Sequence, residues 1–293
     1  MKSGYIAIIG QPNVGKSTLL NHLIGQKLSI TSRRPQTTRH RILGIKTTNS
    51  AQIVYVDTPG MHDDSAFAMN RYLNRTADAT LVGVDLVVWI VDDVIWQDYD
   101  KAILKKLKNA NLPVIFAINK IDRIKEKERM LGFLKEAQER FSFEALIPVS
   151  ALQGTNLDQL EQEIVSRLPH SERFFPDDQI TDRSERFLVS EIIREKLIRR
   201  LSQELPHALT VEISKFEVKQ AIVHIHAIIW VEREGQKNIV IGKKGCVLKA
   251  VGQRSREEVE KMLGEKVYLN LWVKVKKGWS DSERALQSLG FQD

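Results

Sequence analysis

Cysteine is almost missing from this chain. One thiol in 293 residues, Cys246, leaves no partner for an intrachain disulfide and no basis for a cysteine-built zinc site. A reducing, cytoplasmic compartment is the expected setting. Long apolar runs are also absent: the longest, such as residues 86–91, fall far below the roughly 20 residues a membrane-spanning helix needs. Residues 1–4 before the first apolar segment carry no leader pattern. There is no internal repeat and no low-complexity tract. What remains is 42% hydrophobic and 28% charged, the balance of a globular protein long enough for two domains.

Acidic charge is in short supply in one place. The net charge is +7, yet residues 238–277 hold ten Lys and Arg against four Glu, a surplus of six. The rest of the chain is nearly neutral. A polyanionic partner is therefore expected near the C-terminus.

The organising stretch is Gly10-Gln11-Pro12-Asn13-Val14-Gly15-Lys16-Ser17, between the apolar run 5–9 and a helical pattern from Thr18. Its spacing is GxxxxGK[ST], the phosphate-binding loop. Glycines let successive backbone N–H groups face phosphate oxygens, and the following helix adds its unpaired N-terminal donors. Lys16 would reach the β- and γ-phosphates, and Ser17 would give its hydroxyl to Mg²⁺. The plainer alternative is a glycine-rich turn before a helix.

Residues 29–41 are polar and read as a mobile loop. A threonine here would bind Mg²⁺ and the γ-phosphate, ordering the loop only with a triphosphate. Thr38 is preferred over Thr37. Asp57-Thr58-Pro59-Gly60 ends a buried strand, where Asp57 would hold Mg²⁺ through water and the Gly60 N–H would meet the γ-phosphate. A second switch is expected from Gly60 to about Ala68. Glutamine is missing after Gly60; Met61 cannot orient water, so slow intrinsic turnover is expected. One candidate for the lost polarity is K⁺ held by Asn13. Lys16, Asn13, Thr38 and Gly60 form the expected catalytic set. His62, Asp63 and Asp64 read as solvated switch residues, His22 as a packing or surface histidine, and Trp89 and Trp96 as packing residues.

Asn119-Lys120-Ile121-Asp122 follows the strand pattern 113–118 and chooses the base. The Asp122 carboxylate matches the two donors of guanine, N1–H and the N2 amino group; adenine offers no such pair. Asn119 would tie this loop to the phosphate loop, and the Lys120 stem would cover the base. In Ser150-Ala151-Leu152, the Ala151 N–H would bond guanine O6. Apolar runs alternating with helical patterns at 68–82, 99–110, 125–141 and 156–168 give an α/β fold with a doubly wound, mostly parallel sheet.

Residues 169–182 read as a linker or extended arm. Beyond it come a long helix at 184–205, alternating strands at 208–216 and 220–231, the segment 238–245, a helix, and a strand at 267–275. The segment carries Gly242-Lys243-Lys244-Gly245 after Ile239 and Ile241. Its glycines permit a close approach by a sugar–phosphate backbone, as in a KH loop clamping four unpaired nucleotides. Arg254 and Arg256 would extend the backbone path. Lys274, Lys276 and Lys277 are alternatively suited to an anionic membrane surface. His224 and His226 share a strand face but lack further metal ligands.

Together GQPNVGKS at 10–17, QTTRHR at 36–41, DTPG at 57–60, NKID at 119–122, SAL at 150–152, VIGKKG at 240–245 and GWSD at 278–281 resemble the Era family of GTPases over essentially the whole length. The resemblance implies a P-loop GTPase domain at 1–170, a linker at 171–183 and a smaller α+β type II KH domain at 184–293. It implies a monomer that hydrolyses GTP to GDP with Mg²⁺ and binds a single-stranded segment of 16S rRNA near its 3′ end. It also implies a role in 30S ribosomal subunit maturation, and a cytoplasmic protein with peripheral contact to the inner membrane.

Overall fold

A computed structural model describes residues 1–32, 34, 37–60, 68–124, 127–201 and 208–291. The chain divides into two compact units. The first comprises residues 1–29, 38–63 and 73–182; the second comprises 30–37, 64–72 and 183–293.

The first unit is built on a six-stranded sheet. In chain order its strands are β1 (Lys2–Ile9), β2 (Ile42–Thr47), β3 (Ala51–Asp57), β4 (Leu86–Val91), β5 (Val114–Ile118) and β6 (Ala145–Pro148). The spatial order is β2-β3-β1-β4-β5-β6, parallel throughout except that β2 runs against β3. Continuous apolar runs are needed because both faces are covered. Ile6, Ile8, Ile53, Tyr55, Val88 and Ile90 belong to one core, and their neighbours Ala7, Val54, Val56, Val87 and Trp89 to the other.

Helices α1 (Lys16–Ile24) and α5 (Leu157–Arg167) supply Leu19, Leu20, Leu23, Leu160 and Ile164 to the first core. Each such leucine contributes about 1.5–3 kcal/mol on burial. The second core takes Ile103, Leu104 and Leu107 from α3 (Asp98–Ala110) and Phe133 and Ala137 from α4 (Lys127–Arg140). Trp89, Trp96, Phe116, Phe133 and Phe143 cluster there. Helix α2 (Ala68–Ala79) ends earlier than the 68–82 pattern suggests: Val82 is 81% exposed, and Gly83 turns the chain with φ 75°.

The segment expected as a linker is lashed to the first unit. The Gln52 carboxamide oxygen accepts from the Phe174 and Phe175 N–H groups at 2.7 and 3.0 Å, and its Nε2 donates to the Phe175 carbonyl. Ile45 N–H donates to the Ile180 carbonyl at 2.8 Å and Leu43 N–H to Asp182 Oδ1 at 3.0 Å.

The second unit contains α6 (Glu185–Arg200), β7 (Leu209–Lys219), β8 (Ile222–Val231), α7 (Glu234–Ile241), α8 (Cys246–Leu263), β9 (Lys266–Val275) and α9 (Glu283–Ser288). Its sheet order is β7-β8-β9, with β7 antiparallel and β9 parallel to β8. The β7–β8 turn places Gln220 and Ala221 at φ 49° and 59°. Val240, Val251 and Val259 of α7 and α8 pack with Ile192, Ile193 and Leu197 of α6 on the Val223, Ile225, Ala227 face of the sheet.

Candidate functional site

The loop 10–15 leaves the C-terminal end of β1 and enters α1. Gly10 and Gly15 have φ of 150° and 109°. Space matters as much as conformation here: a Cβ on Gly10 would lie 2.2 Å from the Ile90 carbonyl oxygen, and one on Gly15 would lie 2.3 Å from Asn119 Nδ2. Asn13 also has positive φ, at 65°. Pro12 lies against Gly60, with its Cγ 2.9 Å from a Cβ built there.

The Lys16 ammonium donates to the Gly10 and Gln11 carbonyls, both at 2.8 Å. Burial pulls its pKa down to about 8, with Asp57 and Asp92 acting in the opposite direction.

Three hydroxyls and a carboxylate converge beside it. Ser17 Oγ lies 2.9 Å from Thr38 Oγ1 and donates to Asp57 Oδ2 at 2.8 Å; Ser29 Oγ donates to the same oxygen at 2.7 Å. Burial pushes the Asp57 carboxyl up, and the bonds from Ser29 and Ser17 and the charge of Lys16 pull it down. Asp57 Oδ1 is buried and takes no hydrogen bond among the described residues. Thr37 Oγ1, by contrast, donates to the Arg34 carbonyl at 2.7 Å. An unmatched carboxylate oxygen beside two hydroxyls is a hard, oxygen-only donor set, which fits Mg²⁺.

At the other end, Asn119 Nδ2 donates to the Val14 carbonyl at 2.7 Å, and Lys120 Nζ donates to the Asn13 carbonyl at 2.7 Å and pairs with Asp92. Ser150 Oγ donates to Asp122 Oδ1 at 2.6 Å. The Ala151 N–H donates to Asn119 Oδ1 at 2.8 Å. One Asn119 amide thereby bonds to both the phosphate loop and the 150–152 loop. Leu152 is 71% exposed beside it, and Thr18 lies in the first turn of α1.

The second expected switch is outside the described residues from Met61 to Phe67, with His62, Asp63 and Asp64 among them. The first expected loop is described except at Arg33, Pro35 and Gln36, and residues 30–37 belong to the second unit. There the Thr31 N–H donates to Glu195 Oε1 at 3.0 Å. Arg199 donates to the Thr31 carbonyl at 3.0 Å and Arg34 to the Leu201 carbonyl at 2.6 Å. Arg194 donates to the Thr37 carbonyl and is paired with Glu191 at 2.7 Å, both side chains almost wholly buried. In the same unit Ala68 N–H donates to Asp281 Oδ1 at 3.0 Å.

The GxxG segment joins α7 to α8. Gly242, Lys244 and Gly245 all have positive φ, at 74°, 53° and 76°. Lys243 and Lys244 are exposed, as are Arg254, Arg256 and Ile239, while Ile241 is half-buried and Val240 sits in the core. Arg256 also reaches Glu260 at 3.7 Å.

Sequence patterns missed Ser29 as a second donor to Asp57 and the buried Arg194 and Glu195 of α6. No local motif marks them, because their partners are 28, 157 and 164 positions away. Asp92, directly after β4, pairs with Lys120, a contact that no local motif marks either.

Comparison with known proteins accounts for both halves. Residues 5–120 match the family model of the 50S ribosome-binding GTPase, and residues 204–280 match that of the KH domain. GTPase Era of Pseudomonas aeruginosa strain LESB58 is 55% identical over 292 residues, covering 100% of this chain and 96% of that protein. GTPase Era of Marinobacter nauticus is 53% identical with the same coverage. The crystal structure of a variant of Aquifex aeolicus Era bound to GDP·AlF₄⁻ superposes with a TM-score of 0.96 at 40% identity over the full length of both chains. A crystal structure of Era with MgGDPNP and nucleotides 1506–1542 of 16S ribosomal RNA gives 0.96 at 39% identity, also over both full chains. The chain belongs to the Era family of KH-domain GTPases.

Proposed function

We propose that this chain is a GTP-hydrolysing switch that binds 16S ribosomal RNA near its 3′ end and acts in maturation of the 30S subunit. The observation that carries the reading is the convergence of Ser17, Thr38 and Asp57 at one end of the phosphate loop, with Asn119 and Lys120 bonded to its other side. One loop thereby joins a hard-cation site to a guanine-reading loop.

The reaction is GTP and water to GDP and phosphate. Residues 10–18 cradle the phosphates, and Lys16 supplies a positive charge to the β- and γ-oxygens. Ser17, Thr38 and Asp57 would hold Mg²⁺, which would supply neutralisation of phosphate charge. Gly60 donates its N–H to the γ-phosphate. Asp122 reads the guanine edge, fixed by Ser150, while Asn119, Ala151 and Leu152 hold the wall of that pocket and Lys120 covers it. Asn13 is the candidate ligand for K⁺ in place of the missing glutamine. Equal hydrolysis rates in matched KCl and NaCl would remove that last assignment.

The boundaries proposed are 1–170 for the GTPase domain, 171–183 for the linker and 184–293 for the KH domain. Gly242 and Gly245 admit the RNA backbone, Lys243 and Lys244 meet phosphates, Ile239 and Ile241 line the base groove, and Arg254 and Arg256 extend the path. GTP orders the two loops, hydrolysis releases them, and RNA affinity changes accordingly; by linkage, bound RNA changes nucleotide affinity. A monomer in the cytoplasm is expected. Peripheral contact with anionic inner membrane rests only on the charge of Lys274, Lys276 and Lys277.

The test has two arms. Lys16→Ala and Asp57→Ala should each abolish GTP turnover. Crosslinking and sequencing of bound cellular RNA should recover the 3′ end of 16S rRNA with the unmodified chain and lose it with Lys243→Asp/Lys244→Asp. Unchanged turnover, or an unchanged RNA profile, would overturn the corresponding half.

A further inference from the structure

We propose that the open face of the β7-β8-β9 sheet, along β9 from Lys266 to Lys274, is a second binding surface for single-stranded RNA, distinct from the GxxG loop. The choice of RNA rests on the reading of this chain as an RNA binder; the surface itself rests on the following geometry.

Side chains alternate across a strand, so every second residue shares a face. Along β8, Val223, Ile225, Ala227, Ile229 and Val231 are buried in the core, which leaves His224, His226, Ile228 and Trp230 on the opposite face. Strand β9 pairs with β8 in unbroken parallel register: His224 with Tyr268, His226 with Asn270, Ile228 with Trp272, and Trp230 with Lys274. The open face of β9 therefore reads Lys266, Tyr268, Asn270, Trp272, Lys274. Tyr268 is 51% exposed and Trp272 57%. Two large aromatic rings left in water on one regular surface mark a contact site rather than a core.

Charge identifies the partner. On the β7 side the acidic groups are already engaged. Glu217 is bridged by Lys215 and Lys219 at 2.8 and 2.6 Å, which hold its carboxyl down at about 2, and Glu212 accepts from Trp230 Nε1 at 2.7 Å. The charged residues of β9 itself are Lys266 and Lys274. Lys274 and Lys276 stand 5.9 Å from the centroid of the Trp230 ring. At about 3.3 Å per residue, Tyr268 and Trp272 lie roughly 13 Å apart and the flanking lysines roughly 26 Å apart. The order along the strand is thus cation, ring, amide, ring, cation.

That order suits an unpaired nucleic acid. Rings stack on bases whatever their sequence, lysines meet phosphates, and the Asn270 amide can donate to and accept from a base edge. A duplex keeps its base faces covered and gains nothing from the rings. Position supports the same partner. Strand β9 pairs only with β8 among the described residues, so it is the sheet's edge, and α7 and α8, which carry the GxxG segment between them, pack against it. A KH loop clamps four nucleotides. A longer strand leaving that loop can cross the β9 edge onto the open face.

The experiment uses the full chain with fluorescein-labelled oligouridylates of four and twelve nucleotides, read by anisotropy at one salt concentration. Tyr268→Ala/Trp272→Ala should weaken binding of the twelve-nucleotide probe at least about tenfold, the combined effect of two lost stacking contacts. The four-nucleotide probe should be unaffected, whereas Lys243→Asp/Lys244→Asp should abolish its binding. Ultraviolet crosslinking of the longer probe to unmodified protein should place adducts on the peptide carrying Tyr268 and Trp272, a readout that holds even if the double variant does not fold. Equal losses on both probes overturn the proposal, and so does an adduct map without that peptide. Retention of the face on phosphatidylglycerol vesicles, without protection by RNA, would reassign it to a membrane. Failure of the unmodified chain to bind either probe removes the GxxG reading as well; failure confined to the longer probe's response removes this one alone.

Discussion

Asn119 Nδ2 occupies the space that a side chain on Gly15 would need. The amide sits 2.3 Å from the position of a Gly15 Cβ and donates to the neighbouring Val14 carbonyl at 2.7 Å. Gly15→Ala must therefore displace the Asn119 side chain as well as strain a backbone at φ 109°. The expected outcome is loss of guanine-nucleotide binding together with about 2 kcal/mol or more of destabilisation. Titration with a fluorescent GDP analogue and a denaturant melt check the two effects.

The Ser150–Asp122 bond gives a gentler test of the same pocket. Ser150→Ala removes one donor to a partly buried carboxylate at 2.6 Å, so GDP affinity should fall by about tenfold, the equivalent of about 1.4 kcal/mol. Asp122→Ala should cost far more and should erase preference for guanine over adenine nucleotides. Competition binding with GDP and ADP distinguishes the two.

Lys16 makes nucleotide affinity depend on pH. Burial lowers its pKa to about 8 in the free protein, and bound phosphates favour the charged form. Binding therefore takes up a proton above about pH 8, and affinity should decline as pH rises through that value, approaching about tenfold per unit. The free protein behaves oppositely. The unfolded chain keeps its lysine protonated up to 10.5, so this residue's contribution to stability rises with pH between about 8 and 10.5. Calorimetry in buffers of different ionisation enthalpy measures the proton uptake.

The buried Arg194–Glu191 pair is expected to be costly to break and cheap to replace. Arg194→Ala removes the ion-pair partner of the buried Glu191 carboxylate and the donor to the Thr37 carbonyl, which should destabilise the chain by about 3–5 kcal/mol. Glu191→Met/Arg194→Met should recover much of that loss. Urea denaturation of the single and double variants provides the comparison.

The β7–β8 turn should accept improvement. Gln220 and Ala221 both hold left-handed φ values that ordinary side chains resist. Gln220→Asn/Ala221→Gly should raise stability by about 1 kcal/mol without altering RNA binding, as measured by thermal melts.

That turn shows where the sequence was hard to read. No glycine or asparagine marks it, so strand β7 appeared to stop near Phe216 although it pairs through Lys219. The phosphate loop, the Asp57 turn and the Asn119 loop were legible because their chemistry is packed into eight or fewer consecutive residues. So was the doubly wound sheet, since continuous apolar runs demand cover on both faces. Ser29, Asp92 and the Arg194–Glu195 stretch were not legible: each acquires its role from a partner that only the folded chain brings near. The contacts of the arm at 169–182 were not legible for the same reason, because Gln52 gives no local sign that it will hold Phe174 and Phe175.

Helix α6 and the Leu201 that follows it hold Thr31, Arg34 and Thr37 from the far side of the sequence. A fragment ending at Asp182 would keep every phosphate-loop group, yet Thr31, Arg34 and the Thr37 carbonyl would lose Glu195, Leu201 and Arg194 as partners. Such a fragment is a different machine rather than a simpler one. Its turnover would report on a loop set adrift, and catalytic rates measured on it should not be carried over to the intact chain.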